Sequence, residues 1–153
     1  MAFSNTNDYL TGAKPVPTPT GGDVVATRFS LALKTTDLAL NTVGAVGVLP
    51  ANCLPVAVLL DSDDLDSGTA AAMSVGILDS AGTDISTAAA DGGAAWGTSI
   101  TVAQAGGQAQ VLSKAISRVQ PSNHDRKVGI KVTTAAGTAV AGEVGITLLY
   151  RAV

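Results

Sequence analysis

Beyond Asp23, apolar and polar side chains alternate with a period of two in short runs, and this pattern limits the fold more than any other feature of the chain. In VATRFSLAL (25–33), Val25, Thr27, Phe29, Leu31 and Leu33 share one face while Arg28 and Ser30 take the other. Successive strand side chains point to opposite sides, so such a run reads as a strand with one buried face. AMSVGIL (72–78), KVGIKVTT (127–134) and EVGITLLYR (143–151) repeat the pattern, with Met73, Val75 and Ile77, then Val128, Ile130 and Val132, then Val144, Ile146, Leu148 and Tyr150 on their apolar faces. TSITVAQ (98–104) reads as another short strand. PVAVLL (55–60) is unbroken apolar sequence, expected of a strand covered on both faces. QVLSKAISRV (110–119) fits a helical face and a strand, and its length does not decide between them. About seven or eight short strands separated by Gly-, Asp- or Pro-bearing turns, without a strand–helix rhythm, predict an all-β fold. The expected architecture is an antiparallel β-sandwich, jelly-roll-like, over residues 24–153.

Residues 1–23 form a separate unit, an extended Pro-rich N-terminal arm. In KPVPTPTGGD (14–23), Pro15, Pro17 and Pro19 forbid helix and favour a polyproline-like course. At about 3.1 Å per residue, Lys14 to Thr20 would span roughly 20 Å. Such a stretch is either a frayed terminus or an arm that docks on a neighbour, and a stiff arm loses less entropy on docking than a Gly/Ser tail. On the second reading Pro15, Val16, Pro17, Thr18 and Pro19 are candidate partner contacts.

Composition narrows the partners. Charged residues are 14% of the 153 and the formal net charge is −3, so bulk electrostatics draw the chain to no nucleic acid. The surface must be largely neutral, which lowers the desolvation cost of burying it against another protein. LALNTVGAVGVLPANCLPVAVLL (38–60) is uncharged and long enough to span a membrane. Pro50 and Pro55 would break a spanning helix, and two strands joined by a PANCLP corner fit better, so no membrane association is expected. No charged segment followed by an apolar one opens the sequence, so no secretory signal is expected. The single Cys53, among apolar neighbours, reads as a small buried hydrophobe.

Candidate chemistry is sparse. LLDSDDLDSG (59–68) holds Asp61, Asp63, Asp64 and Asp66. Read as an EF-hand from Asp61, it has Leu65 at the fifth position, Asp66 where glycine belongs and Ala72 at the twelfth; from Asp63, Leu65 falls at the third. An irregular calcium site on these four aspartates remains the alternative to a polar turn whose carboxylates accept backbone hydrogen bonds. DSAGTD (79–84) reads as a second such turn. Catalysis would need a carboxyl held in an apolar place, which a Ser- and Gly-rich turn does not offer. His124 is the only histidine, and its neighbour Asp125 is badly placed for a triad with Ser117 or Ser122. One histidine and one cysteine far apart make no metal site, and neither G-x-G-x-x-G nor G-K-[ST] occurs. No cofactor and no enzymatic activity are expected. Trp96, in DGGAAWGTS, is a core or interface anchor, or else a sugar platform on a loop.

The stretch LPANCLPVAVLLDSDDLDSGTAAAMSVGILDSAGTD (49–84) and the C-terminal KVGIKVTTAAGTAVAGEVGITLLYRA (127–152) resemble segments of the jelly-roll decoration, or cement, proteins of tailed bacteriophage capsids. The shared phrases are an LPA corner into an apolar strand, the DSDDLD turn, a VGIL strand and a final hairpin with an AA-T-AAG loop. The resemblance spans about residues 45–153. It implies a structural virion protein, made in the host cytoplasm, that sits on the outer capsid surface, binds the major capsid protein, bridges its subunits and stabilises the head. It also implies a homodimer or homotrimer. It carries no residue-level contacts. The alternatives are a phage tail or fibre module binding a host glycan, with Trp96 exposed, and a calcium-stabilised adhesion-type β-sandwich.

Overall fold

The period-two runs become the strands of two facing sheets. The computed structural model describes residues 1–153. Its strands are β1 (Val24–Leu33), β2 (Val43–Leu49), β3 (Cys53–Ser62), β4 (Ala72–Ile77), β5 (Gly97–Ile100), β6 (Gly107–Val111), β7 (Arg126–Thr134) and β8 (Gly142–Ala152). Two helical turns, α1 (Asp8–Thr11) and α2 (Lys114–Ser117), complete the main elements. One sheet has the order β1-β8-β3-β6, the other β2-β7-β4-β5, and every pairing within them is antiparallel. Consecutive strands mostly alternate between sheets, and the first strand pairs with the last, Val24 opposite Arg151 through Leu33 opposite Gly142. This is the double-sheet jelly roll.

The inner faces carry the residues that alternation assigned to them. Phe29, Leu31 and Leu33 of β1, Met73, Val75 and Ile77 of β4, Val128 and Ile130 of β7, and Val144, Ile146, Leu148 and Tyr150 of β8 belong to one buried cluster. Trp96 lies in it as well, fully enclosed. The second sheet has an unusual outer face. Gly76 stands opposite Gly129, and Gly44 is one strand further along. A Cβ on Gly44 would strike the Phe3 ring, on Gly76 the Ile85 side chain, and on Gly129 the Gly44 carbonyl and Leu78. The glycines thus make a shallow trough that the chain fills with its own residues from 1–3 and 78–95.

Several expectations need correction. β3 is not covered on both faces: Cys53, Val58 and Leu60 are buried, but Val56 is 47% exposed and Leu54 and Leu59 are half-buried. A bulge at Val56 shifts the pairing with β8, and no layer lies outside this sheet. TSITVAQ is strand only to Ile100; Val102–Gln104 is a 3-10 turn that drops Ala103 into the core. The ambiguous 110–119 is both things in succession, strand to Val111 and then α2 from Lys114. The PANC corner turns at Asn52 in the left-handed region (φ 56), which asparagine tolerates. In the N-terminal 23 residues, α1 interrupts the extended course, while 15–20 hold no regular structure.

Candidate interaction surface

The N-terminal segment is laid on the chain's own sandwich. Asn7 caps α1, its side chain accepting from the Leu10 N–H at 3.1 Å, and Gly12 ends the turn at φ 79. The same Asn7 amide donates to the carbonyls of Ser30 on β1 (3.0 Å) and Val46 on β2 (2.6 Å), tying together the edges of the two sheets. Nearer the start, Phe3 N–H donates to the Val43 carbonyl and Val43 N–H to the Met1 carbonyl, a short parallel bridge on the edge of β2. Buried Asp37 accepts from the Ser4 N–H and hydroxyl (2.9 and 2.7 Å) and from the Lys34 N–H (2.8 Å). Burial pushes the Asp37 carboxyl up, but these hydrogen bonds outweigh it and hold the group below its usual range. Tyr9 packs edge-on against Phe29 at 4.8 Å, and Lys14 Nζ lies 4.8 Å over the Tyr9 ring. Farther on, the Tyr150 hydroxyl donates to the Pro17 carbonyl and pairs with Thr27 Oγ1.

The five candidate contacts follow from this anchoring. Pro15, Pro17 and Thr18 are exposed, while Val16 and Pro19 are half-buried. Pro15, Val16 and Thr18 line a cleft of about 460 Å³ with Tyr9, Lys14 and Lys127. Trp96 is not among the surface groups. It is 0% exposed and offers no face to a sugar or a partner, because the 89–96 connection carries it into the core.

The four aspartates do not converge, and no three His, Cys, Asp or Glu side chains anywhere in the chain are placed to hold a metal ion. Asp61, at the end of β3, takes a two-pronged ion pair from Arg28 (2.6 and 3.1 Å), and Arg28 also reaches Glu143 at 2.9 Å. Asp63 accepts from the Glu143 N–H at 2.7 Å, and Asp64 from the Asp66 N–H at 3.2 Å. Asp66 is buried rather than solvated. It accepts from the backbone N–H groups of Gly68 (2.9 Å), Ala70 (2.6 Å), Ala71 (2.7 Å) and Thr138 (2.8 Å). Those hydrogen bonds, Thr138 first, hold its carboxyl far below the usual range although burial opposes them. The aspartates are turn-makers, and Asp66 joins the β3–β4 and β7–β8 connections. Asp79 works the same way in the next turn, accepting from the Thr83 N–H (2.8 Å) and hydroxyl (3.0 Å).

His124 and Cys53 lie apart from each other in character, one exposed and one buried. His124 is exposed, with Nδ1 near the Ser122 hydroxyl and Asn123 Oδ1 (both 3.1 Å), while Asp125 accepts from the Ala51 N–H at 2.8 Å and faces no histidine nitrogen. Cys53 is buried, and burial pushes its thiol up, with the Asp125 charge adding to this. No helix is long and apolar enough to cross a membrane. The sequence reading missed Asn7 and Asp37. NDYLTG carries a helix signal, an Asn cap and a glycine stop, whereas nothing in KTTDL marks Asp37 as buried.

The chain is thus an eight-stranded jelly roll, an antiparallel β-sandwich of two four-stranded sheets. The fold superposes on a chain of the capsid of Ralstonia phage GP4 with a TM-score of 0.80 and 33% identity, covering 95% of this chain and 96% of that one. This chain belongs to the family of that phage capsid protein. A chain of the cyanophage Pam1 capsid asymmetric unit shares the fold, with a TM-score of 0.59 and 22% identity over 96% of each chain. No protein-family model matches the sequence, and no curated protein matches it.

Proposed function

We propose that this protein decorates and cements the outer surface of a tailed-phage capsid, binding the major capsid protein and bridging its subunits without enzymatic activity. The observation that carries this reading is the 33% identity, over 95% of the chain, to a component of a phage capsid. The physical character of the molecule supports it. Its surface is poor in charge, so burial against a shell costs little desolvation. Its core is complete within one chain, so it can be made separately and added to a finished lattice. A ligand that binds only the mature shell stabilises it by its binding free energy at every site, and modest contributions add over many copies. The contacts are assigned to the exposed Pro15, Pro17 and Thr18, with Val16 and Pro19 fixing their course, and to the open sheet edge opposite the N-terminal segment. Association as a homodimer or homotrimer would let one assembly touch several shell subunits.

Quantitative mass spectrometry of gradient-purified particles tests the proposal. Copies near a simple stoichiometric ratio to the major shell protein are expected. A handful of copies per particle would move the protein to the tail, and its absence from particles would sink the virion role.

A further inference from the structure

The two long sides of the sandwich differ. On one side the outer strands β1 and β2 are covered by the chain's own N-terminal residues, through Asn7, Phe3 and the bridge to Val43. On the other the outer strands are β5 and β6, and no segment of the chain pairs with their free edges. An open edge presents a row of unpaired N–H and C=O groups, which proteins usually blunt with short strands, bulges, proline or charge. β5 is blunted: it has four residues, its pairing with β4 is irregular, and Ser99 sits at φ 54. β6, GQAQV, carries neither charge nor proline, and Leu112 just beyond it is 75% exposed. From Gly92 to Ser113 there is no charged side chain at all.

Between these two edges lies a cleft of about 290 Å³ lined by Trp96, Ile100, Gln110, Val111, Leu112 and Ser113. Trp96 is fully enclosed beneath this cleft, so what the cleft offers a partner is the β6 edge and the exposed Leu112. An added strand would pair the free N–H and C=O groups of the β6 edge without bringing charge.

We propose that the open edge of β6 and the adjoining cleft take up an extended, uncharged segment of a neighbouring shell protein as an added strand. Backbone pairing along β6 supplies the register, and an apolar side chain of the segment covers Leu112. The uncharged surroundings select an uncharged segment, since a charge brought here would be desolvated with no counter-ion in the 92–113 stretch. The inference rests on the capsid-surface reading above.

Hydrogen–deuterium exchange of the full chain, free and bound to gradient-purified particles depleted of it, tests both. Amides of residues 107–113 should slow by about tenfold or more on binding. Leu112→Asp and Gln110→Lys, both at exposed side chains, should keep the free protein's Tm and lose about tenfold or more in particle affinity. Binding with unchanged exchange at 107–113, or with full affinity in both variants, overturns the added strand and leaves the capsid role standing. No binding of the unaltered chain to such particles overturns both.

Discussion

At the scale of single residues, two side chains do work that their neighbours in sequence do not. Asp66 lies in a run of four aspartates, yet only it turns inward and gathers backbone N–H groups from two loops. Its folded carboxyl is held below the value of about 3.9 that it has in the unfolded chain. A depressed carboxyl contributes stability that is fully present above the unfolded value and is lost as pH falls toward the folded one. Asp37, also depressed, adds to the same acid limb. Asp66→Asn places an NH₂ against N–H donors, so calorimetry should show a Tm several degrees lower at neutral pH. The fall in Tm below about pH 4 should also be shallower than in the parent, because one source of proton uptake on unfolding is gone. Equal pH slopes in the two proteins would contradict the assignment. Tyr150 is the second such residue. Its hydroxyl links Thr27 of β1 to Pro17 of the N-terminal segment. Tyr150→Phe should cost about 1–2 kcal/mol, since it leaves the buried Thr27 hydroxyl unpaired. It should also speed proteolysis near residues 14–20 while β8 stays protected, a combination that limited digestion would detect.

At the scale of elements, alternation located the strands it could see and misjudged what lay outside them. β1, β4, β7 and β8 were legible because large apolar side chains recur at every second position, although β4 and the middle of β7 are buried on both faces, where serine and glycine fill the alternate positions. The apolar run 55–60 suggested cover on both faces, but composition alone cannot distinguish a covered face from one that is apolar and half-open, as at Val56 and Leu59. Residues 110–119 resisted assignment because the strand ends at Val111, inside the window. The proline-rich stretch was legible as non-helical, but its seating on the parent sandwich depends on Tyr150, which lies 133 positions away in sequence. The candidate site was less legible than the fold: Trp96 is core, and the open β6 edge emerged only from the strand order. The glycine trough was invisible for a similar reason, since it requires knowing that Gly76 and Gly129 are paired. That trough makes a sharp prediction. A Cβ on Gly129 would meet the Gly44 carbonyl and both Leu78 methyls, and backbone cannot move aside as a side chain can. Gly129→Ala should cost about 1–3 kcal/mol by overpacking, readable as a lower midpoint in urea with an unchanged m-value. An unchanged midpoint would mean that residues 78–95 are not packed on this sheet as described.

At the scale of the whole molecule, a closed fold with a neutral skin implies a particular kind of binding. β8 lies between β1 and β3, so the last strand holds together one sheet and the first strand of the chain. The sheet therefore closes only once β8 is in place, so the sandwich is a preformed body before its surface meets any partner. Charged residues are only 14% of the chain, Arg28, Arg126 and Lys131 are already paired internally, and the 92–113 stretch has no charge, so a contact through the β6 edge forms few salt-sensitive pairs. Exposed ion pairs weaken as the Debye length shrinks from about 10 Å at 0.1 M to about 3 Å at 1 M salt, whereas apolar burial and backbone pairing do not. Affinity for purified particles should therefore change by less than about threefold between those two salt concentrations, measured by co-sedimentation. A loss of tenfold or more would mean that Lys14 and Lys127 of the N-terminal cleft carry the contact instead of the neutral edge.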